Sequence, residues 1–286
     1  MPEVNRETLV PTAARILLAR SAVQVLADSV GTRLLHIKGE TVDPALGGIR
    51  PPGSDVDALA DPRTIPALHE ALLAHGWSVY STFAFGSPFE HAQTYAHDVW
   101  GYFDLHRRFP GIGLGDQAAF DLLWRDRISR DDVGVPYETP AVDAQAVLLV
   151  LNAVRNRHPL PRFWTDLDDS DRGRYEAMVA RLDAEVAFAA AKGELGSMRG
   201  RREYRLWKYT VYGGPRVSEW WARALAQPSW ASAVRVLVRA PQVNTDQLRH
   251  RLGREPSRGD VVREFFARGV RAGREGTALL LRGKRR

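Results

Sequence analysis

The segment Gly53-Ser54-Asp55-Val56-Asp57-Ala58-Leu59 constrains this chain more than any other. Two carboxylates separated by one residue on a strand point to the same face, and such a pair can hold a divalent cation. The preceding run, Leu34-Leu35-His36-Ile37-Lys38-Gly39, reads as a short apolar strand ending in a basic residue and a glycine. A third acid, Asp104, lies in Val99-Trp100-Gly101-Tyr102-Phe103-Asp104-Leu105-His106, whose aromatic residues favour extended structure. An acid inside that apolar run needs a partner, and a metal ion is the simplest one.

Mg²⁺ takes oxygen ligands in near-octahedral geometry and keeps several waters, so a few carboxylates usually hold it together with substrate phosphates. In two-metal sites the ions lie about 3.5 to 4 Å apart and stabilise the attacking and leaving oxygens of an in-line displacement. Three acids on adjacent strands beside a Lys-Gly turn therefore suit Mg²⁺-dependent phosphoryl or nucleotidyl transfer. Asp55 and Asp57 are expected to bridge two ions, and Asp104 to bind the one that activates the nucleophile. Lys38 is expected to meet a triphosphate as a point charge, with backbone N–H groups near Gly39 approaching its oxygens.

This arrangement resembles the nucleotidyltransferase superfamily, and within it the uncharacterised bacterial nucleotidyltransferases that carry a Lys-Gly turn, then Arg, then Asp-x-Asp, then Asp-Leu-His. Lys38-Gly39 matches the turn, Arg50 with Ser54-Asp55-Val56-Asp57 the metal segment, and Phe103-Asp104-Leu105-His106 the third carboxylate. The resemblance spans about residues 15 to 170. Many members of the wider superfamily have Gly-Ser shortly before Asp-x-Asp. Here Lys38-Gly39 fills that slot, with Gly39 sixteen positions before Asp55, which favours the uncharacterised branch. Gly86-Ser87 follows the acids and reads with Pro88 as a hairpin turn. The resemblance implies metal ligation by Asp55, Asp57 and Asp104, nucleotide binding by Lys38, Gly39, Arg50, Ser54 and His106, and Mg²⁺, as two ions, with an NTP such as ATP as substrate. Arg50 pairing with Asp43 or Asp55 in a loop is as good a reading as phosphate contact. His106 suits orientation of Asp104, nucleotide contact or a purely structural role. Phe163-Trp164-Thr165-Asp166-Leu167 matches a further acid of the family, although an N-cap in the acidic loop suits Asp166 better.

At 286 residues the chain is long enough for two domains. Without cysteine it has neither disulfides nor thiolate metal sites. The N-terminus lacks the apolar core of a signal peptide, and the best apolar run is far short of a membrane span, so no membrane partner is expected and the cytoplasm is the default location. Residues 1–150 carry 12 Lys/Arg against 19 Asp/Glu, whereas residues 151–286 carry 28 against 15. An acidic first half suits divalent metal. A basic second half offers attraction to nucleotide or nucleic acid, although an arginine-rich, lysine-poor composition produces the same charge without such a ligand.

Periodicity predicts a helix over Thr8 to Val30 that packs on a sheet through Ile16, Val23, Leu26 and Val30. Strands are expected over Arg33 to Ile37, Asp55 to Ala60, Trp77 to Phe83, Ala92 to Ala96, Val99 to Leu105 and Val133 to Tyr137. Asp61-Pro62 reads as the start of a helix that Gly76 closes, and Asp116 to Trp124 as a short helix. From Pro140 the pattern is helical, with Val142 to Val154, Asp171 to Ala191 and Ser257 to Arg271 the clearest segments. Trp164, Trp207, Trp220, Trp221 and Trp230 read as helix-packing anchors. The expected class is α/β (α+β): a small mixed nucleotidyltransferase-type sheet with helices over residues 1–139, then a helical half over 140–286 with a basic tail. The leading function is transfer of NMP from an NTP to an unidentified small-molecule, peptide or protein acceptor with pyrophosphate release. Its alternatives are a toxin-like transferase acting on tRNA ends, favoured by the basic half, and a non-catalytic binding module that keeps the fold.

Overall fold

The computed structural model describes residues 10–47, 53–84 and 89–267, leaving Arg50 and the Gly86-Ser87 turn outside the described residues. The chain divides into two compact units, Met1–Ala153 with His158–Glu185, and Val154–Arg157 with Val186–Arg286.

The first unit is a mixed α+β fold on a five-stranded sheet in the order β1-β2-β5-β4-β3. The strands are β1 (Leu34–His36), β2 (Asp55–Ala60), β3 (Ser78–Ser81), β4 (Ala92–His97) and β5 (Gly101–His106). Only the β2–β5 pairing is parallel; β1–β2, β4–β5 and β3–β4 are antiparallel. Side-chain alternation divides the two central strands. Val56, Ala58 and Ala60 of β2 join Phe103 and Leu105 of β5 in the core, with Tyr95 of β4, and the intervening residues Asp55, Asp57, Asp104 and His106 face the other way.

Helix α1 (Thr12–Ser29) covers the apolar face through Ile16, Ala19, Val23 and Ala27, with Leu26 and Val30 packed at its margin. Helix α2 (Ile65–Ala74) adds Leu68 and Leu72, both fully buried and one helical turn apart. Its start lies later than Asp61-Pro62. The Asp61 carboxylate accepts from Arg33, from the Arg63 side chain and from the Arg63 N–H, so it is engaged in a turn, and the helix begins after Thr64 with Pro66 in its first turn.

Two further expectations are corrected. The strand expected at Val133 to Tyr137 is a hairpin of β6 (Ile128–Asp131) and β7 (Pro136–Thr139) in a separate two-stranded sheet. Its turn is set by Gly134 at φ +77, whose N–H donates to Asp131 Oδ1 at 2.6 Å, and this leaves Val133 exposed. After α3 (Asp116–Arg125), α4 (Val142–Asn156) and α5 (Arg162–Thr165), the helix expected over Asp171 to Ala191 is broken into α6 (Asp169–Arg181) and α7 (Glu185–Ala191). Asp183 between them takes φ +51, and the Leu182 and Asp183 carbonyls accept from Gly113 N at 3.1 Å each. A Cβ at position 113 would collide with Asp183, so this close approach requires glycine.

In the second unit, α8 (Tyr204–Tyr212) packs on α9 (Arg216–Leu225), and α9 on α10 (Trp230–Arg239); α11 (Thr245–Leu252) follows, and the chain is helical again from 258 to 267. Trp207 is a buried anchor here, as Trp164 is in the first unit. Trp221 and Trp230 are not anchors: they are 52% and 87% exposed, because α9 and α10 turn part of their apolar stripes outward, with Val217, Leu225, Val234 and Val238 beside them. No described helix is long and apolar enough to cross a membrane.

Because Leu68 is fully enclosed between α1, α2 and the sheet, Leu68→Ala is expected to cost about 3 kcal/mol in urea unfolding. An unchanged urea midpoint would contradict this packing.

Candidate metal and nucleotide site

The Lys-Gly turn is an unusual piece of backbone. Lys38 has φ +65 and ψ −171, a region almost reserved for glycine, and Gly39 follows at φ +53. Holding a lysine there costs on the order of 1 to 3 kcal/mol. Local bonds offset it: Thr41 N and Thr41 Oγ1 both donate to the Lys38 carbonyl, at 3.2 and 2.7 Å, and Ile37 N donates to the Asp57 carbonyl at 3.0 Å. The Arg130 guanidinium and the Gln145 amide clamp the next residues of the loop through Asp43, at 2.6 and 2.8 Å. The Asp43 carboxylate is thus engaged by Arg130.

The turn brings the lysine to the acids. Lys38 Nζ lies 2.5 Å from Asp57 Oδ1, and His106 Nε2 approaches the same oxygen at 2.8 Å. Lys38 Nζ and His106 Nε2 are 3.4 Å apart. In the β2–β5 register Asp57 is directly opposite Asp104, and in the β4–β5 register Asp104 is directly opposite Thr94. Thr94 Oγ1 donates to Asp104 Oδ1 at 2.6 Å. Asp55 stands two residues before Asp57 on the same face, with Ser54 Oγ donating to its Oδ1 at 3.1 Å. Lys38, Gly39, Asp55 and Asp57 line one pocket together with Arg20 and His36.

The three carboxyls titrate differently. Burial pushes Asp104 up to about 6, with the neighbouring Asp57 and Asp55 charges adding to the rise and Thr94 opposing it. Asp55 is also raised, first by burial and then by Asp57. Burial acts on Asp57 in the same direction, but the charges of Lys38 and His106 and the hydrogen bonds from both outweigh it together and hold Asp57 at about 2. Near neutral pH a carboxylate anchored by an ammonium thus sits beside one that ionises reluctantly. A divalent cation would relieve the second.

The donor chemistry fits such an ion. One ligand atom from each of Asp57, Asp104 and His106 lies within 4.8 Å of the others. Asp55 shares the pocket but stands outside that group of three. Asp166 is exposed and accepts from Thr165 Oγ1 at 3.0 Å, and the cap of α6 is Asp168, which accepts from Asp171 N.

Sequence reasoning passed over three neighbours of the site. Thr94 is visible only through the register that faces it with Asp104. His36 is 1% exposed, and burial, with the Arg20 charge, holds it down to about 3, so it is neutral. Gln24 Nε2 donates to Asp28 at 2.7 Å, which directs Gln24 Oε1 to His36 Nε2 at 2.9 Å and puts the imidazole proton there. Arg20 is buried in an ion pair with Asp132 and lies 4.4 Å over the Tyr137 ring, so its charge is already balanced.

No family model and no curated protein matches this chain. Among solved structures it is similar to the lincosamide antibiotic adenylyltransferase LnuA in its lincomycin-bound crystal structure, at 15% identity and a TM-score of 0.29, over 58% of this chain and 96% of that one. It is also similar to the antibiotic-resistance factor ANT(2'')-Ia, known from a solution structure, at 13% identity and a TM-score of 0.35, over 67% and 94% of the two chains.

The raised Asp104 carboxyl has a consequence for metal-free protein. A group whose folded pKa lies above its unfolded value contributes stability at low pH and loses it as pH rises through the folded pKa. Metal-free stability should therefore fall between pH 4 and 7, by at most about 3 kcal/mol for a rise of this size. Asp104→Asn should lessen that decline, the raised Asp55 carrying the remainder, and be the more stable form at pH 7.5 in chelator, with the gap closing by pH 4. Parallel pH profiles for the two proteins in urea unfolding would contradict this.

Proposed function

We propose that this site transfers a nucleotidyl group from a nucleoside triphosphate to an acceptor hydroxyl or phosphate, with a divalent cation as cofactor. The observation that carries the reading is the convergence of Lys38, Asp57 and Asp104 on one face of the β2–β5 pair, where Lys38 and Asp57 line a pocket with Gly39 and Asp55. Acids alone are common on protein surfaces. A half-buried acid pair with an ammonium held against it by unfavourable backbone is a costly arrangement that a triphosphate and its cation would repay.

In this reading Asp57 and Asp104 hold the cation and Asp55 adds negative charge beside them, with Ser54 fixing its carboxylate. When bound, the cation neutralises charge on the phosphate oxygens and orients them for in-line displacement. Lys38 exchanges Asp57 for phosphate oxygens as the nucleotide enters, carrying its charge into the transition state. Gly39 suits the turn through its φ of +53, a conformation that L side chains rarely adopt, and the space beside it is open. The acceptor oxygen bonds to the α-phosphorus as the bond to the β-phosphate oxygen breaks; pyrophosphate leaves, and a hydroxyl acceptor loses its proton to water. Arg50 is proposed as a further phosphate contact on its place in the sequence alone.

Binding can be tested without knowing the acceptor. Calorimetry with each non-hydrolysable NTP analogue should show affinity that requires a divalent cation, is lost in Asp57→Ala and is weakened about 10- to 100-fold in Lys38→Ala. With α-labelled NTPs and a panel of hydroxylated acceptors, Asp57→Ala should lower pyrophosphate release by at least about 10²-fold. Cation-independent binding, or equal turnover by wild type and Asp57→Ala, would remove the transferase reading.

A further inference from the structure

We propose that His106 is itself a ligand of the cation, completing an Asp57, Asp104 and His106 set that selects first-row transition ions such as Mn²⁺ and Co²⁺ over Mg²⁺. This rests on the reading of the site as cation-binding and goes beyond it in naming a nitrogen ligand and the class of ion it favours.

The strand delivers the imidazole by the same alternation that delivers the acids. His106 is two residues beyond Asp104 on β5, so both share the face of the β2–β5 pair that carries Asp57. Two ligands at right angles around an ion, each about 2.1 Å from it, stand about 3 Å apart. The His106 Nε2 to Asp57 Oδ1 separation is 2.8 Å, which is that spacing. The ring is 1% exposed and packed against His91 and Phe109, with centroids at 5.1 and 6.4 Å, so little side-chain freedom remains to be lost on ligation.

The ammonium of Lys38 supplies the second observation. It lies 2.5 Å from Asp57 Oδ1 and 3.4 Å from His106 Nε2, facing both atoms at once. An ammonium facing a carboxylate oxygen and an imidazole nitrogen stands near the position that a metal ion bound to those atoms would take, and ligation there requires His106 Nε2 to give up the proton it donates to Asp57. Lys38 acts here as an internal stand-in, and the metal and the lysine exclude each other on Asp57 Oδ1. The competing role for His106 is to donate to Asp57 and hold it in place, with all-oxygen ligation of the ion. The two roles differ in metal preference, because imidazole raises affinity for transition ions while Mg²⁺ gains little from nitrogen.

The test uses the full chain, freed of metal and without nucleotide. Mn²⁺ is added to wild type and to His106→Asn, and pulsed electron paramagnetic resonance reads ¹⁴N coupling to the ion. Wild type should show coupling from one coordinated imidazole, and His106→Asn should lose it. Competition titrations should give wild type a Co²⁺ over Mg²⁺ preference at least 10-fold larger than that of the variant. An all-oxygen wild-type spectrum overturns the proposal whether or not His106→Asn folds, and His106→Gln takes the place of an unfolded His106→Asn. An all-oxygen Mn²⁺ spectrum, coupling that survives His106→Asn, or failure of Mn²⁺ to bind would each overturn the proposal. Nitrogen coupling in a protein that turns over no NTP would support it while removing the transferase reading. NTP turnover with an all-oxygen spectrum would do the reverse.

Discussion

The parallel pairing of β2 with β5 is the constraint on which the rest of the site depends. It sets Asp57 opposite Asp104, and the same register sets Val56 opposite Phe103. Because alternate residues face opposite ways, the burial that fixes the apolar side also fixes the charged side, and a slip of one residue would drive the carboxylates into the core beneath α1 and α2. Parallel strands cannot be joined by a tight turn. The connection runs through α2, β3 and β4, and returns as a hairpin that pairs β4 with β5 and brings Thr94 to Asp104. Core packing and site geometry are therefore two faces of one alignment.

Electrostatics gives the physical reason for proposing a cation at this site. Asp57 and Asp104 are neighbours across a strand pair, but only one has an ammonium against it. The lysine settles the charge of Asp57 and leaves Asp104 with a neutral hydroxyl, so the second carboxyl stays difficult to ionise. The backbone at Lys38 is strained, at φ +65 and ψ −171. Its effect is to aim a long cationic side chain at the polar face, and the loop bonds through Thr41 and Asp43 keep it there. On the other side of the pocket, His36 and Arg20 are neutralised by desolvation and by ion pairing, so the free electrostatic demand is concentrated at the acids.

Much of this was legible in the sequence, and the parts that were not share a physical origin. Asp-x-Asp on an alternating segment declares its own face, and an acid after Tyr102-Phe103 declares that it needs a partner. Which partner depends on register, and Thr94 lies ten residues away on another strand. The hairpin strand Ile128–Asp131 is mostly polar and gains its pairing from β7 rather than from its own pattern. The break at Asp183 follows from a contact with Gly113, seventy residues earlier in the chain and silent in any local window. The exposed Trp221 and Trp230 show the limit of composition: tryptophan on a helical stripe reads as an anchor until the neighbouring helices are known.

The central claim is that these side chains form one cation and triphosphate site whose lysine yields its place when both arrive. It is tested most directly by a crystal structure with Mn²⁺ and a non-hydrolysable NTP analogue, using the anomalous signal to locate the metal. The account predicts a peak in contact with Asp57 and Asp104, with Lys38 Nζ moved from Asp57 onto phosphate oxygen. A metal bound elsewhere, or a nucleotide seated with Lys38 still on Asp57, would contradict it.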